Sequence, residues 1–224
     1  NYKYNSIEAD ISGKRPTSTD THKGIVYLDP TDLKNSCNES NSKSETGTKT
    51  ECMKWYIYSE DDSNYNMILD HNTTSKVAYN STDSNSEMKE VKTALESDTN
   101  TWDKSLKARL ITANEVAKIT ENTSFDEKTT TYDKWFYLDS NNQTQVANST
   151  NKSKYAWLYD YTNGCKGCNI EDLSTYGYWT STPVAGRTDL VWYVYRYGNL
   201  NTNTSYLARP GVRPVITILK SIIS

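Results

Sequence analysis

The chain's 224 residues are enough for one large domain or two small ones, with a substantial buried core. A formal charge of −3 and a pI near 5.5 argue against an electrostatic nucleic-acid binder, and no apolar run is long enough to span a bilayer. Tyr reaches 18 against 2 Phe, and with 6 Trp these rings count against the disorder that low hydropathy alone would suggest. The abundance of Asn, Ser and Thr over large aliphatics points to a β-rich, loop-rich extracellular protein. The chain opens at Asn1 without Met, so an export or anchoring segment is expected to have been removed.

In chain order, residues 1–23 are polar, broken by Pro16, and read as a lead-in with room for one short strand. Gly24–Leu28 reads as a strand ended by Asp29-Pro30. Met53–Tyr58 and Asn66–Asp70 flank the turn-rich Glu60–Asn64, which signals a β-hairpin with Trp55, Ile57, Met67 and Leu69 on its buried face. The adjacent carboxylates Asp61 and Asp62 fall in that turn and read as solvated.

A first helix is predicted over Ser86–Glu96, where Met88, Val91 and Leu95 recur at three and four residues. Ala108–Ile111 reads as a short strand. Thr112 then caps a second helix, with Glu115 completing a capping box and Val116 and Ile119 supplying the apolar face. Phe125–Asn151 alternates between polar loop and a Trp135–Leu138 segment. Tyr155–Tyr159 is too short for periodicity to separate helix from strand. Several N-x-S/T sequons, among them Asn72, Asn80, Asn122, Asn148 and Asn203, are expected by chance in so Asn-rich a chain. Nothing marks a domain boundary, so 1–224 is expected to be a single α+β domain.

The four cysteines form two sequence-local pairs. Cys37 and Cys52 bracket a polar loop; a disulfide closing about 15 residues would stabilise by roughly 3 kcal/mol. Cys165 and Cys168 form C-K-G-C in a Gly-containing turn. Zinc would need two further ligands, and neither His22 nor His71 has metal spacing. A redox dithiol would need a helix N-terminus after a strand. A tight structural disulfide is the expectation for that pair, and both pairs imply an oxidising compartment.

The stretch 176–218 reads as several strands: Tyr178–Ser181, Val191–Tyr195, a turn at Gly198, and a closing strand Val212–Ile218. Strand alternation puts Trp192 and Val194 on one face and Tyr193 and Tyr195 on the other, and the tyrosines are expected to meet solvent. From Val184 to Leu219 there is no Lys, Glu, Gln or Met, while Arg187, Arg196, Arg209 and Arg213 all lie here. Solubility does not account for such a gap. Replacing the two adenines of an Asn codon can never yield Lys, Glu, Gln, Met or Trp, and every residue of the stretch except Trp192 is reachable that way.

The frame Y-W-T-S-T-P, W-x-V, G-x-L and G-V-R-P-V-I resembles the C-terminal variable region of proteins diversified by retroelements. That resemblance implies a C-type-lectin-like domain, with small antiparallel sheets and two short helices, related to formylglycine-generating enzymes. It also implies adenine-directed variation of Asn codons within 176–218. The calcium motifs of sugar-binding C-type lectins (E-P-N, Q-P-D, W-N-D) are missing, and neither cysteine pair lies in the C-terminal frame where an enzymatic relative would need one. There is no Ser–His or Cys–His constellation and no G-x-S-x-G.

What remains is a surface for a protein or cell-surface ligand, with no catalytic residue, metal or cofactor expected. Its candidate contacts are Arg187, Thr188, Asp189, Leu190, Tyr193, Tyr195, Arg196, Tyr197, Asn199, Asn201, Asn203, Ser205, Tyr206, Leu207 and Arg209. Tyr and Arg supply rigid area and charged forks, Ser and Asn adaptable polar contacts. Trp192, Val194 and Val215 are expected in the core, and Arg213 and Pro214 in the frame. The expected role is a secreted or surface-displayed binding protein, bacterial or phage-borne. A pilin-like or fibre subunit is the structural alternative, and a formylglycine-generating-type enzyme is less favoured.

Overall fold

The computed structural model describes residues 2–4, 24–132, 136–137, 155–159, 176–196 and 198–223. Its elements are β1 (Lys3–Tyr4), β2 (Ile25–Leu28), β3 (Met53–Glu60), β4 (Asn64–Leu69), α1 (Glu90–Asp98), α2 (Ala113–Ile119), β5 (Phe136–Tyr137), α3 (Ala156–Tyr159), β6 (Gly177–Pro183), β7 (Leu190–Tyr195), β8 (Asn199–Thr204), β9 (Val215–Leu219) and α4 (Lys220–Ile223). The architecture is mixed α+β, with two small antiparallel sheets and few short helices.

In the first sheet β4 lies between β3 and β9, while β1 and β2 share the outer edge of β3. The β3–β4 hairpin forms where the alternation predicts it. Trp55 faces Leu69 and Ile57 faces Met67, and all four are buried together. Asp61 sets the turn by accepting the backbone N–H groups of Ser63 and Asn64 at 2.9 and 2.7 Å. The Cys37–Cys52 disulfide is formed. His71 anchors the bridged loop, its Nδ1 2.5 Å from Asp70 and its Nε2 2.8 Å from the Thr48 carbonyl. Cys165 and Cys168 lie outside the described residues.

The helices follow their local signals in part. At α2 the predicted capping box is present: Thr112 Oγ1 accepts the Glu115 N–H at 3.0 Å and Glu115 returns the bond to the Thr112 N–H at 2.8 Å. The first helix begins at Glu90 rather than Ser86. Tertiary hydrogen bonds claim the residues before it, since Asn85 donates its N–H to Thr188 O and its amide to Arg187 O and Leu190 O. Ala108–Ile111 forms a single bridge, Arg109 to Val215, and not a strand. β9 begins at Val215 rather than Val212, because Val212 instead bridges Thr74 and Pro214 has no N–H to offer a ladder. The ambiguous Tyr155–Tyr159 run resolves as α3.

Among the described residues, three buried clusters order the layers. Trp55, Ile57, Met67 and Leu69 on one face of the first sheet pack under Trp102, Leu106 and Ile223. The opposite face, with Tyr56, Tyr58 and Ile68, meets Tyr178, Trp192 and Val194 of the second sheet, and α2 and α3 join this shared core. The far face of the second sheet, with Trp179, Val191 and Tyr193, is closed by Val91 and Leu95 of α1.

Arg213 ties the layers together. It is fully buried and donates to the carbonyls of Leu69, Leu158 and Trp157 at 2.5, 2.8 and 2.8 Å, with its guanidinium 5.1 Å from the centre of the Tyr178 ring. Two of those acceptors are carbonyls of the four-residue α3, and the Tyr178 hydroxyl also donates to Leu158 O at 2.8 Å. Burial pushes the Tyr178 hydroxyl up to about 12, with Arg213 pulling against it.

Candidate functional site

The order of the second sheet is β5-β8-β7-β6. Register sets Val191, Tyr193 and Tyr195 opposite Asn203, Asn201 and Asn199, so one face carries a row of large side chains beside a row of asparagines. Trp192 and Val194 point the other way into the shared core, as the alternation requires, with Trp192 edge-on to Phe125 at 5.2 Å. Val215 is in the same core.

The expectation that the tyrosine face meets solvent is corrected at Tyr193, which is 3% exposed. The connection leaving β8 must pass β7 to reach the outer side of β6, where Gly211 bridges Tyr178. That crossing brings Val212 onto the face, and Tyr79 and α1 complete the cover over Trp179, Val191 and Tyr193. Burial raises the Tyr193 hydroxyl well above its ordinary value. Leu190, Arg196, Asn199, Asn201 and Ser205 are also buried. Tyr197 lies outside the described residues.

The candidates that do reach solvent fall at two ends of the sheet. At the β6–β7 loop, Thr188 is exposed and Arg187 is half-buried. Arg187 grips Asp189 with Nε–Oδ1 at 2.9 Å and Nη2–Oδ2 at 2.7 Å, and its guanidinium lies 4.6 Å from the Tyr132 ring centre. This ion pair holds the Asp189 carboxyl below its usual value. The Ser205 N–H donates to the Asp189 carbonyl at 2.8 Å, which sets exposed Tyr206 beside the loop. Asn203 and Leu207 are half-buried nearby in the chain.

At the other end an aromatic series climbs from core to surface: Tyr79–Trp179 at 5.7 Å, Trp179–Tyr193 at 6.1 Å, Tyr193–Tyr195 at 5.6 Å and Tyr176–Tyr195 at 5.7 Å. Two guanidiniums gather on its last ring, Arg196 at 5.1 Å and Arg209 at 4.8 Å from the Tyr176 centre. Arg209 also donates Nη1 to the Tyr176 hydroxyl at 2.7 Å. Sequence reasoning had not selected Tyr176 or Tyr132. Tyr176 lies just before the predicted strand Tyr178–Ser181 and Tyr132 lies in a stretch read as loop, and only the tertiary arrangement brings an arginine over each.

Another polar cluster lies at Arg109 and Glu115. A cleft of about 680 Å³ lies between α1 and the start of α2, with Leu95, Leu110, Arg109 and Glu115 in its wall. Arg109 grips Glu115 at 2.6 and 2.8 Å, and Tyr58 donates to Glu115 Oε1 at 3.0 Å. Burial pushes the Glu115 carboxyl up, but these partners outweigh it and hold it below the usual carboxylate range. Among the described residues no group of three or more His, Cys, Asp or Glu side chains gathers as a metal site, and no helix is long and apolar enough to cross a membrane.

No curated protein and no solved structure shows a significant match to the chain. Residues 79–220 match a family described as a domain of unknown function, DUF6273. The matched span takes in α1, α2, the whole second sheet and β9, yet β9 pairs with β4 outside it, so the folded unit is larger than the match. With well over half its length in that match, the chain belongs to the DUF6273 family.

Proposed function

We propose that the protein is a secreted or surface-displayed binding module, bacterial or phage-borne, with a C-type-lectin-type fold diversified by a retroelement and no catalytic role. The observation that carries this reading is the codon pattern: from Val184 to Leu219 only Trp192 lies outside the residues reachable from an Asn codon by replacing adenines. Burial lends support. Trp192 is fully buried scaffold, whereas Arg187, Thr188, Asp189, Asn203, Tyr206 and Arg209 reach the surface and can vary without disturbing the core. The Cys37–Cys52 bridge favours an oxidising compartment. Two small sheets flanked by short helices suit the lectin-type layout.

The test is the genomic locus compared across close isolates. The expected result is a neighbouring reverse transcriptase and a near-copy of the DNA for this stretch, richer in Asn codons. Differences between isolates should concentrate at the exposed positions. A locus with neither element, or variation spread evenly over the chain, would overturn the reading.

A further inference from the structure

We infer that the anchoring point of the binding face is the arginine-stacked Tyr176, and that it engages a partner protein through that partner's carboxylates. The inference rests on the binding reading above and names the chemistry it would use. Although the chain is acidic overall, the stretch from Val184 to Leu219 sets four arginines against one carboxylate, Asp189. Arg187 is committed to Asp189, and Arg213 is fully buried on three backbone carbonyls. The other two arginines converge on Tyr176.

Arg209 is exposed, donates one N–H to the Tyr176 hydroxyl, and forms no ion pair with any described residue. A guanidinium has five N–H donors, so the fork retains capacity for a carboxylate. Its place over the phenol ring and its bond to the hydroxyl hold the guanidinium in advance, which reduces the ordering lost when a bidentate pair forms. Half-buried Tyr176 and Tyr195 surround the charge with aromatic area, the combination in which binding energy concentrates. The parallel N–H donors of the fork match the two oxygens of a carboxylate. A carboxylate on a protein partner needs only the local field.

The test measures binding of the purified protein to immobilised poly-L-glutamate at physiological ionic strength, with heparin on a parallel surface. Each variant is first shown to keep the wild-type melting midpoint. Wild type should bind polyglutamate, and Arg209→Glu should weaken binding about tenfold or more. Tyr176→Ala should weaken it by about tenfold as well, while Tyr176→Phe, which keeps the stacking ring, should stay within about threefold. Reversal of an exposed charge remote from the patch, Lys92→Glu, should change nothing. The inference is overturned if wild type does not bind polyglutamate, if Arg209→Glu binds like wild type, or if heparin alone is bound through Arg209. A locus without a reverse transcriptase would sink the diversification reading while leaving these affinities as measured, so the two failures are distinguishable.

Discussion

Truncating the neighbouring residues Trp192 and Tyr193 tests whether β7 is buried on both faces. Trp192 is fully buried against Phe125, and its loss should cost about 3–5 kcal/mol. A solvent-facing Tyr193 would lose little, but at 3% exposure, between Trp179 and Tyr195, its truncation should cost about 3–4 kcal/mol. Tyr195 is half-buried at the edge of the same series, and Tyr195→Ala should cost only about 1 kcal/mol. With a urea m-value of about 2 kcal/mol/M, a loss of 3 kcal/mol moves the midpoint down by about 1.5 M. Far-UV circular dichroism is the suitable probe, because Trp192→Ala removes a fluorophore. Tyr193→Phe, which keeps the ring, should stay within about 1 kcal/mol of wild type. A Tyr193→Ala midpoint close to wild type, with Trp192→Ala far below, would show that the face is open and that the crossing segment does not cover it.

Gly177 has φ +135°, and a Cβ there would meet the Val194 carbonyl oxygen at 1.9 Å, so Gly177→Ala should cost at least about 3 kcal/mol in a denaturant melt. Gly186→Ala, with φ +74° but open space around it, should cost only about 1 kcal/mol. Cys37→Ser with Cys52→Ser removes a bridge between positions 15 apart and should cost about 3 kcal/mol in a denaturant melt. The Glu115 carboxyl is held below its unfolded value, so the stability it supplies is present above that unfolded value and is lost as pH falls through the folded one. Glu115→Gln should therefore flatten the fall in Tm as pH drops below the ordinary carboxylate range, and an unchanged slope would remove Glu115 as its source. Asn199 is fully buried with neither side-chain nitrogen nor oxygen hydrogen-bonded, so Asn199→Leu should raise stability by about 1 kcal/mol; a loss of that size would refute the idea that its amide is a cost.

What could be read from the sequence was local. The β3–β4 hairpin needs only alternation and a turn, and Trp55, Ile57, Met67 and Leu69 pack as the period of two dictates. The α2 cap is a contact between residues three apart, so Thr112 and Glu115 announce it. The start of α1 was less visible, because the Asn85 bonds that delay it reach about a hundred positions along the chain to Thr188 and Leu190. The double burial of β7 was hidden for a related reason. An alternating Trp, Tyr, Val, Tyr run looks the same whether its second face meets water or a crossing segment, and Tyr suits either. The frame role of Arg213 could be expected from its neighbours, but its three carbonyl acceptors depend on where α3 docks.

The asparagine row on β8 connects this architecture to the proposed diversification. Packing alone gives no reason to keep an orphaned amide at Asn199, since a buried polar group without a partner is a net cost. A coding constraint does give one: on the proposed reading Asn199, Asn201 and Asn203 are codons whose adenines were left unaltered, repeated at every second position along a single strand face. Space then decides what variation can survive. Asn199 and Asn201 sit beside Tyr195 and Tyr193 in a filled layer, so tyrosine or arginine at either position would overpack it. The half-buried Asn203, together with Arg187, Thr188, Asp189, Tyr206 and Arg209, has solvent into which a larger side chain can extend. On the proposed reading, diversity that reaches a ligand is thereby restricted to the two ends of the sheet, and the buried middle of β7 and β8 holds those ends in fixed relation.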